Sequence, residues 1–244
     1  MKKFTSCVLL MLVVLSVVAQ KKRHDSLAIL IIDRMADLIG TLESCSFRLN
    51  TAQDEKDATA GMVKHFTDYE VFMQGPDKML INAHGYRGHR QVWYNGQELA
   101  FYSFDEHNYA FVRGYDNIVQ TMDSVNRYYG IEFPAADFFY PAFTDDLIEQ
   151  SDSIRFLGIN TIHGKEMFHI VASNKEAIFQ FWINNDAYNL PARFAITYKN
   201  KEGRPQYLAT FSDWQVNPNL PVAMFNFLVP PGANQVRLFS KTDR

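Results

Sequence analysis

The sequence has few cysteines, little excess charge and only one long hydrophobic run. Its 244 residues include 2 cysteines, 9 prolines and 12 glycines, which excludes a disulfide-stapled miniprotein and a collagen-like or low-complexity chain. The net charge of −3 leaves no basic surface for nucleic acid, and no polybasic run indicates an anionic membrane. We therefore expect no nucleic-acid partner and at most peripheral contact with a membrane.

The single long hydrophobic run lies at the N-terminus. Lys2 and Lys3 precede an uncharged stretch over residues 4–18, which has the length of a signal-peptide core and is short for a membrane span. Small residues up to Ala19 follow, so we predict a periplasmic protein whose signal peptide, residues 1–19, is cleaved after Ala19. The alternative is an uncleaved anchor, which the basic flank over residues 21–23 disfavours.

Cleavage at this point would leave Cys45 as the one cysteine of the mature protein. An exported protein with a single thiol forms no internal disulfide, so its stability has to come from an ordinary hydrophobic core. Cys45 stands between two serines at the start of a strand-like stretch. We expect a small, half-buried and unreactive side chain there.

Hydrophobic periodicity predicts the order of helices and strands. Helical spacing predicts a first helix over residues 25–40, with these apolar residues on one side: Leu27, Leu30, Ile31, Met35, Leu38 and Ile39. Six short strands are predicted over residues 44–113, helices over 116–129, 134–139 and 144–150, and five strands over 153–214. Residues 225–229 could add an edge strand, and Asn95-Gly96 predicts a type I′ hairpin turn.

This order predicts a mainly β (α+β) fold, with residues 20–244 as a single domain. The strands are joined by short turns, which favours antiparallel pairing because a parallel pair needs a crossover of a dozen or more residues. We expect about 11 strands in one long curved sheet. An apolar concave face has to be covered, so we expect the helices to plug a half-open β-barrel.

Six segments carry a resemblance to a known family. They cover residues 92–112 (VWYNGQELAFYSFDEHNYAFV), 129–140, 157–173, 180–183, 190–214 (LPARFAITYKNKEGRPQYLATFSDW) and 225–233. In order and spacing they resemble an uncharacterised family of predicted periplasmic proteins within the LolA/LolB lipoprotein-carrier superfamily. The resemblance implies a LolA-like half-open antiparallel barrel plugged by helices, with a hydrophobic cavity between them. It also implies binding of acyl chains or other lipids during transport across the periplasm.

The residues that could line such a cavity are large and apolar. The chain holds 20 Phe, 12 Tyr, 3 Trp and 9 Met, and aromatic and Met side chains are typical of adaptable binding surfaces. Alternation along three strands and helical spacing select the predicted ligand-binding residues: Leu27, Ile31, Met35, Leu38, Leu99, Phe101, Phe138, Phe139, Phe179, Phe181, Ile183, Phe194 and Ile196. The alternative is that these residues form a fully packed core.

No residue pattern indicates catalysis. The sequence lacks a Gly-rich phosphate loop, a GxSxG elbow, an HExxH motif and paired CxxC motifs, so we predict no enzyme activity, no cofactor and no metal. His84 and His89 are five residues apart, a spacing that places them on opposite faces of a strand, and a Gly-rich turn lies between them, so metal binding there is weakly supported. Asp145 and Asp146 fit the start of a helix better than an acid/base pair.

The leading hypothesis is an exported, non-enzymatic carrier that holds a lipid or lipoprotein acyl chain between sheet and helices. A second hypothesis is a non-catalytic scaffold or protein-interaction module of the cell envelope, with a dry core and a protein partner at the strand edge near residues 225–229. A third is a hydrolase whose catalytic residues are distant in sequence. An apolar cavity of several hundred Å³ would favour the carrier over the scaffold.

Overall fold

The computed structural model describes residues 22–241. The predicted signal peptide and its cleavage after Ala19 lie outside the described residues. Within residues 22–241 the helices are α1 (Ser26–Thr41), α2 (Ile118–Tyr129) and α3 (Phe143–Gln150), with 3₁₀ helices at Ala136–Phe139 and Val222–Phe225. None of the described helices is both long enough and apolar enough to cross a bilayer.

The first helix begins where the sequence predicts it. Asp25 caps its N-terminus, because the Asp25 carboxylate accepts a hydrogen bond of 2.9 Å from the backbone N–H of Leu27. The buried side of α1 consists of Ala28, Ile31, Ile32, Met35 and Ile39. The predicted stripe was wrong by about one position at its start, since Leu27 and Leu30 are 47% and 46% exposed. Ala28 and Ile32 take the inward positions because they lie four residues apart on the face that also carries Ile31 and Met35.

The strands follow the predicted alternation closely. They are β1 (Arg23–His24), β2 (Ser44–Asp57), β3 (Gly61–Gln74), β4 (Lys78–Gly85), β5 (Gly88–Tyr94), β6 (Glu98–Ser103), β7 (Asn108–Arg113), β8 (Ser153–Ile162), β9 (Lys165–Ser173), β10 (Ala177–Asn184), β11 (Pro191–Tyr198), β12 (Gln206–Val216) and β13 (Asn234–Gln235). The predicted six strands before the central helices and five after them are confirmed.

All of these strands belong to one sheet in the order β1-β8-β9-β10-β11-β12-β2-β3-β4-β5-β6-β7-β13. The described sheet therefore has 13 strands rather than about 11, because the two-residue strands β1 and β13 add one parallel bridge at each edge. The sheet is curved. It is also open, because its two edge strands do not pair with each other. The other neighbouring strands are antiparallel, as the short turns predict.

The predicted β5–β6 hairpin forms, but its turn is not of type I′. A type I′ turn needs two residues with positive φ, and here only Gly96 has one, at 92°. The loop has three residues, and the Asn95 side-chain oxygen accepts hydrogen bonds from the backbone N–H groups of Gln97 and Glu98 at 3.0 and 3.1 Å. The side chain of Asn95 thus replaces the second positive-φ residue as the element that closes the turn.

The predicted edge strand over residues 225–229 was also wrong. Phe225 ends a 3₁₀ helix and is fully buried, and Phe227 packs against the outer face of the sheet, 4.8 Å from Trp93 between ring centroids. The chain then passes round the β7 edge, where β13 pairs with β7. Large aromatic side chains at 225 and 227 favour burial against the sheet over extension along its edge.

The central helices close the concave side of the sheet. Asn117 caps α2 by accepting from the backbone N–H of Gln120, and Gly130 ends it with a φ of 71°. Ile118, Met122 and Val125 are buried on one side of α2. The following residues 131–139 cross the concave face of the sheet and continue into α3.

The register places one row of side chains across the concave face. Starting from β10, directly opposed residues are Phe181, Phe194, Ala209, Thr51, Thr67, Gly85 and Gly88. Along this row the side chains fall from phenylalanine to glycine. The interior is therefore filled by side chains near β10 and β11, and the sheet leaves free space near β3 to β5.

Candidate functional site

The free space forms a cavity of about 700 Å³ on the concave side of the sheet. Its wall is formed mainly by β3, β4, β5, β6 and β7, which we call the open half, with contributions from β2 and β12. Residues 130–134 after α2 and the C-terminal residues Val236 and Leu238 cover it. Its volume falls within the range of small-molecule and lipid sites.

One end of the cavity is apolar and buried. Its wall there consists of Ile81, Val92, Phe101 and Ala110, which are neighbours across four adjacent strands. Ile81 and Ala110 are buried, and Val92 and Phe101 are half-buried. Ile131 and Phe133 from the cover also line the cavity. The four strand residues of this wall carry no charge and suit contact with a hydrocarbon chain.

The opposite end is polar and exposed. Moving outward along the strands, the wall changes to Ala83, Arg90, Ser103 and Asn108, and then to Thr67, Gly85 and Gly88. The four residue steps from Ile81 to Gly85 span about 13 Å at the usual strand rise. Polarity therefore reverses over a distance comparable with the length of a medium acyl chain.

The exposed end is bordered by a small network of rings and charges. The Glu55 carboxylate accepts from the Tyr86 hydroxyl at 2.5 Å and lies 3.3 Å from the Arg87 guanidinium. The His65 ring stacks on Tyr86 with a centroid distance of 4.1 Å. These contacts join the β2–β3 hairpin to the β4–β5 turn and fix one rim of the opening.

Two phenols stand at the border between the cavity and the core. Tyr69 and Tyr207 both line the cavity, and burial raises the pKa of each hydroxyl above its ordinary value. Both phenols stay neutral at physiological pH. They can donate a hydrogen bond to a polar group of a ligand without adding charge to the apolar end.

A second cavity of about 420 Å³ lies at the other end of the concave face of the sheet, between β2, β3 and α2. Cys45, Met73, Ile118 and Phe139 contribute to its wall. Burial raises the pKa of the Cys45 thiol to about 12. The thiol is therefore protonated at neutral pH and is a poor nucleophile, in line with its predicted inertness.

The residues predicted to line a cavity lie mostly in the packed half, by which we mean β8 to β12 with α1, α3 and the 3₁₀ helix Ala136–Phe139. Seven of them are buried in the core: Ile31, Met35, Leu99, Phe138, Phe181, Ile183 and Phe194. Leu38, Phe139, Phe179 and Ile196 are half-buried against the core. Leu27 is exposed. Of the thirteen, only Phe101 lines the large cavity.

Phe138 shows why the packed half has little free space. Its ring lies 5.2 to 6.2 Å from the rings of four others, most of them edge-on: Phe143, Phe181, Phe194 and Phe211. Edge-to-face packing at these distances is favourable and fills the volume between helix and sheet. The predicted rows do share one face, since Phe181 opposes Phe194 and Phe179 opposes Ile196, but this face is packed.

Sequence reasoning missed most of the cavity wall, notably Tyr69, Ala83, Arg90, Ile131 and Leu238. A signal for three of them was present, because strict alternation on β3, β4 and β5 places Tyr69, Ala83 and Arg90 on the face that carries Ile81 and Val92. Leu238 had no such signal, since the C-terminal segment reaches the cavity only by passing round the β7 edge.

The histidines do not form a metal centre. His84 and His89 lie directly opposite each other across the β4–β5 hairpin and stack at 3.6 Å, which corrects the expectation that they face apart. A hairpin turn reverses the chain, so the same-strand rule does not apply to them. His169 stacks on Trp182 at 4.5 Å. Among residues 22–241 no three His, Cys, Asp or Glu side chains come close enough to hold a metal ion.

Solved structures with a similar chain course share little sequence identity with this protein. An uncharacterised conserved protein from Thermus thermophilus is 14% identical, with a TM-score of 0.49, over 85% of this chain and 96% of that one. The lipoprotein LppX from Mycobacterium tuberculosis is 14% identical, with a TM-score of 0.44, over 81% and 99%. A LolA superfamily protein from Nitrosomonas europaea is 9% identical, with a TM-score of 0.38, over 82% and 97%.

Among curated proteins, none matches this chain. A family model does match it, over residues 28–239, and its description is predicted periplasmic protein (DUF2092). The matched range includes every strand from β2 to β13 and nearly all of α1. It confirms the family that the six sequence segments indicate. The chain belongs to the DUF2092 family of predicted periplasmic proteins.

Proposed function

We propose that this protein is an exported periplasmic carrier that holds the apolar part of a lipid or lipoprotein in the 700 Å³ cavity of the open half. The observation that carries the proposal is the cavity itself, with an apolar buried end, a polar exposed end and a cover made of short segments. The family description, predicted periplasmic protein, agrees with the proposed location.

The energetics of acyl binding are sufficient for a carrier. Burial of one methylene contributes about 0.8 kcal/mol, so a chain of roughly fourteen would contribute on the order of 11 kcal/mol before the costs of association and ordering. The Ile81, Val92, Phe101 and Ala110 wall supplies the apolar contact surface. No charged anchor is needed for this part of the ligand.

The cover is the element that would have to move for a ligand to enter. Residues 130–134 and the segment around Val236 and Leu238 lie over the cavity. The C-terminal segment is held at β7 by backbone hydrogen bonds from Asn234 to His107 and from Val236 to Tyr109, at 2.9 and 2.8 Å. Such a short parallel bridge can open without disturbing the packed half.

Native mass spectrometry of the protein purified from its own cell envelope without detergent tests the proposal. We expect a stoichiometric lipid adduct that organic extraction removes and identifies. Ala83→Trp places an indole in the cavity and should abolish the adduct. Ala187→Trp is the matched control, since Ala187 is exposed in the β10–β11 turn, and this variant should retain the adduct.

Two results would contradict the carrier. A lipid-free mass that persists after incubation with envelope lipids would favour the envelope scaffold instead. Equal adducts on the Ala83→Trp and Ala187→Trp proteins would show that the lipid binds elsewhere.

A further inference from the structure

The wall of the large cavity contains a cation, Arg90, that forms no ion pair within residues 22–241. Arg90 lies on β5, and its neighbours across the concave face are Ala83 on one side and Ser103 on the other. Arg87, the other arginine of the wall, pairs with Glu55 at 3.3 Å. Within residues 22–241 no carboxylate lies within ion-pair distance of Arg90.

The position of Arg90 along the strand defines where a ligand would meet it. Val92, two residues further along β5, belongs to the apolar end, and Gly88, two residues before, belongs to the exposed end. Two residues of a strand span about 7 Å. A chain that fills the apolar end therefore brings its terminal polar group to the level of Arg90.

Hydrogen-bonding groups lie at this level on one side of Arg90, on β6 and β7. Ser103 and Asn108 lie on the neighbouring strands, opposite Arg90 and each other in register, and both line the cavity. A guanidinium with adjacent hydroxyl and amide donors is a suitable receptor for a carboxylate or phosphate.

Two carboxylates, Glu106 and Glu132, also line the cavity, and an anion bound near Arg90 would be repelled by nearby negative charge. Glu132 lies on the side of β11 and β12, where burial raises the pKa of the Tyr198 and Tyr207 hydroxyls and the Glu132 charge adds to that rise. Glu106 lies in the β6–β7 turn, exposed and on the same side as Arg90. An anion at Arg90 would be attracted by the arginine and repelled by Glu106.

We infer that the ligand of this cavity is an anionic amphiphile, bound with its tail at the Ile81–Val92–Phe101 end and its carboxylate or phosphate head at Arg90. The inference rests on the proposed carrier function and makes it narrower. A free fatty acid or a phospholipid-type head fits this arrangement. An acyl chain attached to a lipoprotein through a neutral linkage would leave Arg90 unpaired.

The test compares chains of equal length that differ only in the head. Dissociation constants of the delipidated protein are measured for dodecanoate against dodecanol, and for lysophosphatidate against monoacylglycerol. Arg90→Gln should weaken the anionic member of a pair about tenfold and leave its neutral member unchanged. Arg155→Gln, an exposed arginine on β8, is the matched control and should change neither.

Glu106→Gln is a second variant, and its expected effect on the affinity for the anionic ligand is opposite to that of Arg90→Gln. Removal of this exposed negative charge should strengthen binding of the same anion about twofold, without effect on the neutral ligand. A gain of affinity cannot arise from damage to the fold, so it separates the inference from a loss of stability.

The outcomes are distinct. A response confined to the dodecanoate pair assigns a carboxylate, and one confined to the lysophosphatidate pair assigns a phosphate. If Arg90→Gln weakens binding of the charged and the neutral ligands equally, or weakens binding of neither, the head-group assignment is wrong and the carrier function stands. If the unmodified protein binds none of the four, the carrier function itself is wrong.

Discussion

The packed half and the open half are built on the same continuous sheet, yet only one of them leaves room for a ligand. In the packed half the concave face carries Phe181, Phe194 and Phe211, which pack against Phe138 from the 3₁₀ helix Ala136–Phe139. In the open half the row in register with Phe181 and Phe194 carries Thr67, Gly85 and Gly88. Where the side chains of the sheet are small, the space between the sheet and the segments over it stays empty as a cavity. Where they are large, they fill that space as a core.

The comparison also separates stability from binding. An aromatic ring in the packed half contacts other rings on several sides, so its removal leaves an internal void. A side chain of the open half already borders free space, and its removal only enlarges that space. Mutations in the two halves should therefore differ in which property they change.

The largest expected effect is that of Phe181→Ala in the packed half. Phe181 is 2% exposed and contacts Phe138, Phe143 and Phe194, so its truncation should lower the free energy of unfolding by about 3–5 kcal/mol. Phe101→Ala in the open half is the matched variant. It should cost about 1–2 kcal/mol, because Phe101 is half-buried and borders the cavity. Urea unfolding measures both, and equal losses would show that the halves are packed alike.

The next largest effect on stability is expected when a buried alanine is replaced by a larger residue. Ala209 is fully buried between Phe194 and Thr51 in the register, so Ala209→Leu should destabilise the fold by about 1–3 kcal/mol. Ala83→Leu should change stability by less than about 0.5 kcal/mol, because the added atoms extend into the cavity. The thermal unfolding midpoints of the two variants give the comparison. A large loss for Ala83→Leu would mean that the open half has no room for extra atoms.

The strands and helices could be predicted from sequence because their signals are local. Alternation in β2 to β12 and the caps at Asp25 and Asn117 depend on neighbours a few residues away. The failure at residues 225–229 arises where a contact with a distant part of the chain overrides the local signal. Residues 225–229 have an alternating, aromatic composition that is typical of a strand, but burial of Phe225 and Phe227 on the outer face determines their conformation.

The cavity could not be placed in this way, because a cavity depends on the sizes of side chains that meet from distant segments. Abundant phenylalanine predicted a binding wall at Phe179, Phe181 and Phe194, but large rings that face each other fill the space they enclose. The space remains where Ala83, Gly85 and Ala110 face the interior. Their identification requires the register between strands, which no single segment specifies.

A smaller effect is expected from pH at the outer side of the open half. Burial, followed by the neighbouring His84, lowers the pKa of His89, whose ring lies between His84 and Phe104 at 3.6 and 3.7 Å. The folded state therefore takes up fewer protons than the unfolded state below the ordinary histidine pKa of about 6.5. Its contribution to stability is complete above that pH and is lost as the pH falls through it.

His89→Phe keeps a ring in the stack but removes the titrating group. We expect the unfolding free energy of the unmodified protein to fall between about pH 7.5 and about pH 5.5, and that of the variant to fall less. Denaturant titrations at the two pH values measure the difference. His163→Asn, in the β8–β9 turn where φ is 50°, serves as the control and should behave as the unmodified protein. An identical pH response of the His89→Phe protein would exclude the stacked pair as its source.

The smallest effect is expected where a surface ion pair joins the two halves. The Lys56 ammonium lies 2.7 Å from the Glu202 carboxylate and connects the β2–β3 hairpin to the β11–β12 turn, with the two side chains 63% and 82% exposed. Exposed pairs contribute little because water and salt screen them, so Lys56→Ala should lower the unfolding free energy by less than about 0.5 kcal/mol. The halves are joined instead by the β12–β2 ladder, which runs from Tyr207 opposite Gln53 to Val216 opposite Cys45. Denaturant unfolding of the Lys56→Ala protein at low and high salt checks this. A salt-sensitive loss of unfolding free energy above about 1 kcal/mol would show that the ion pair also holds the open half to the packed half.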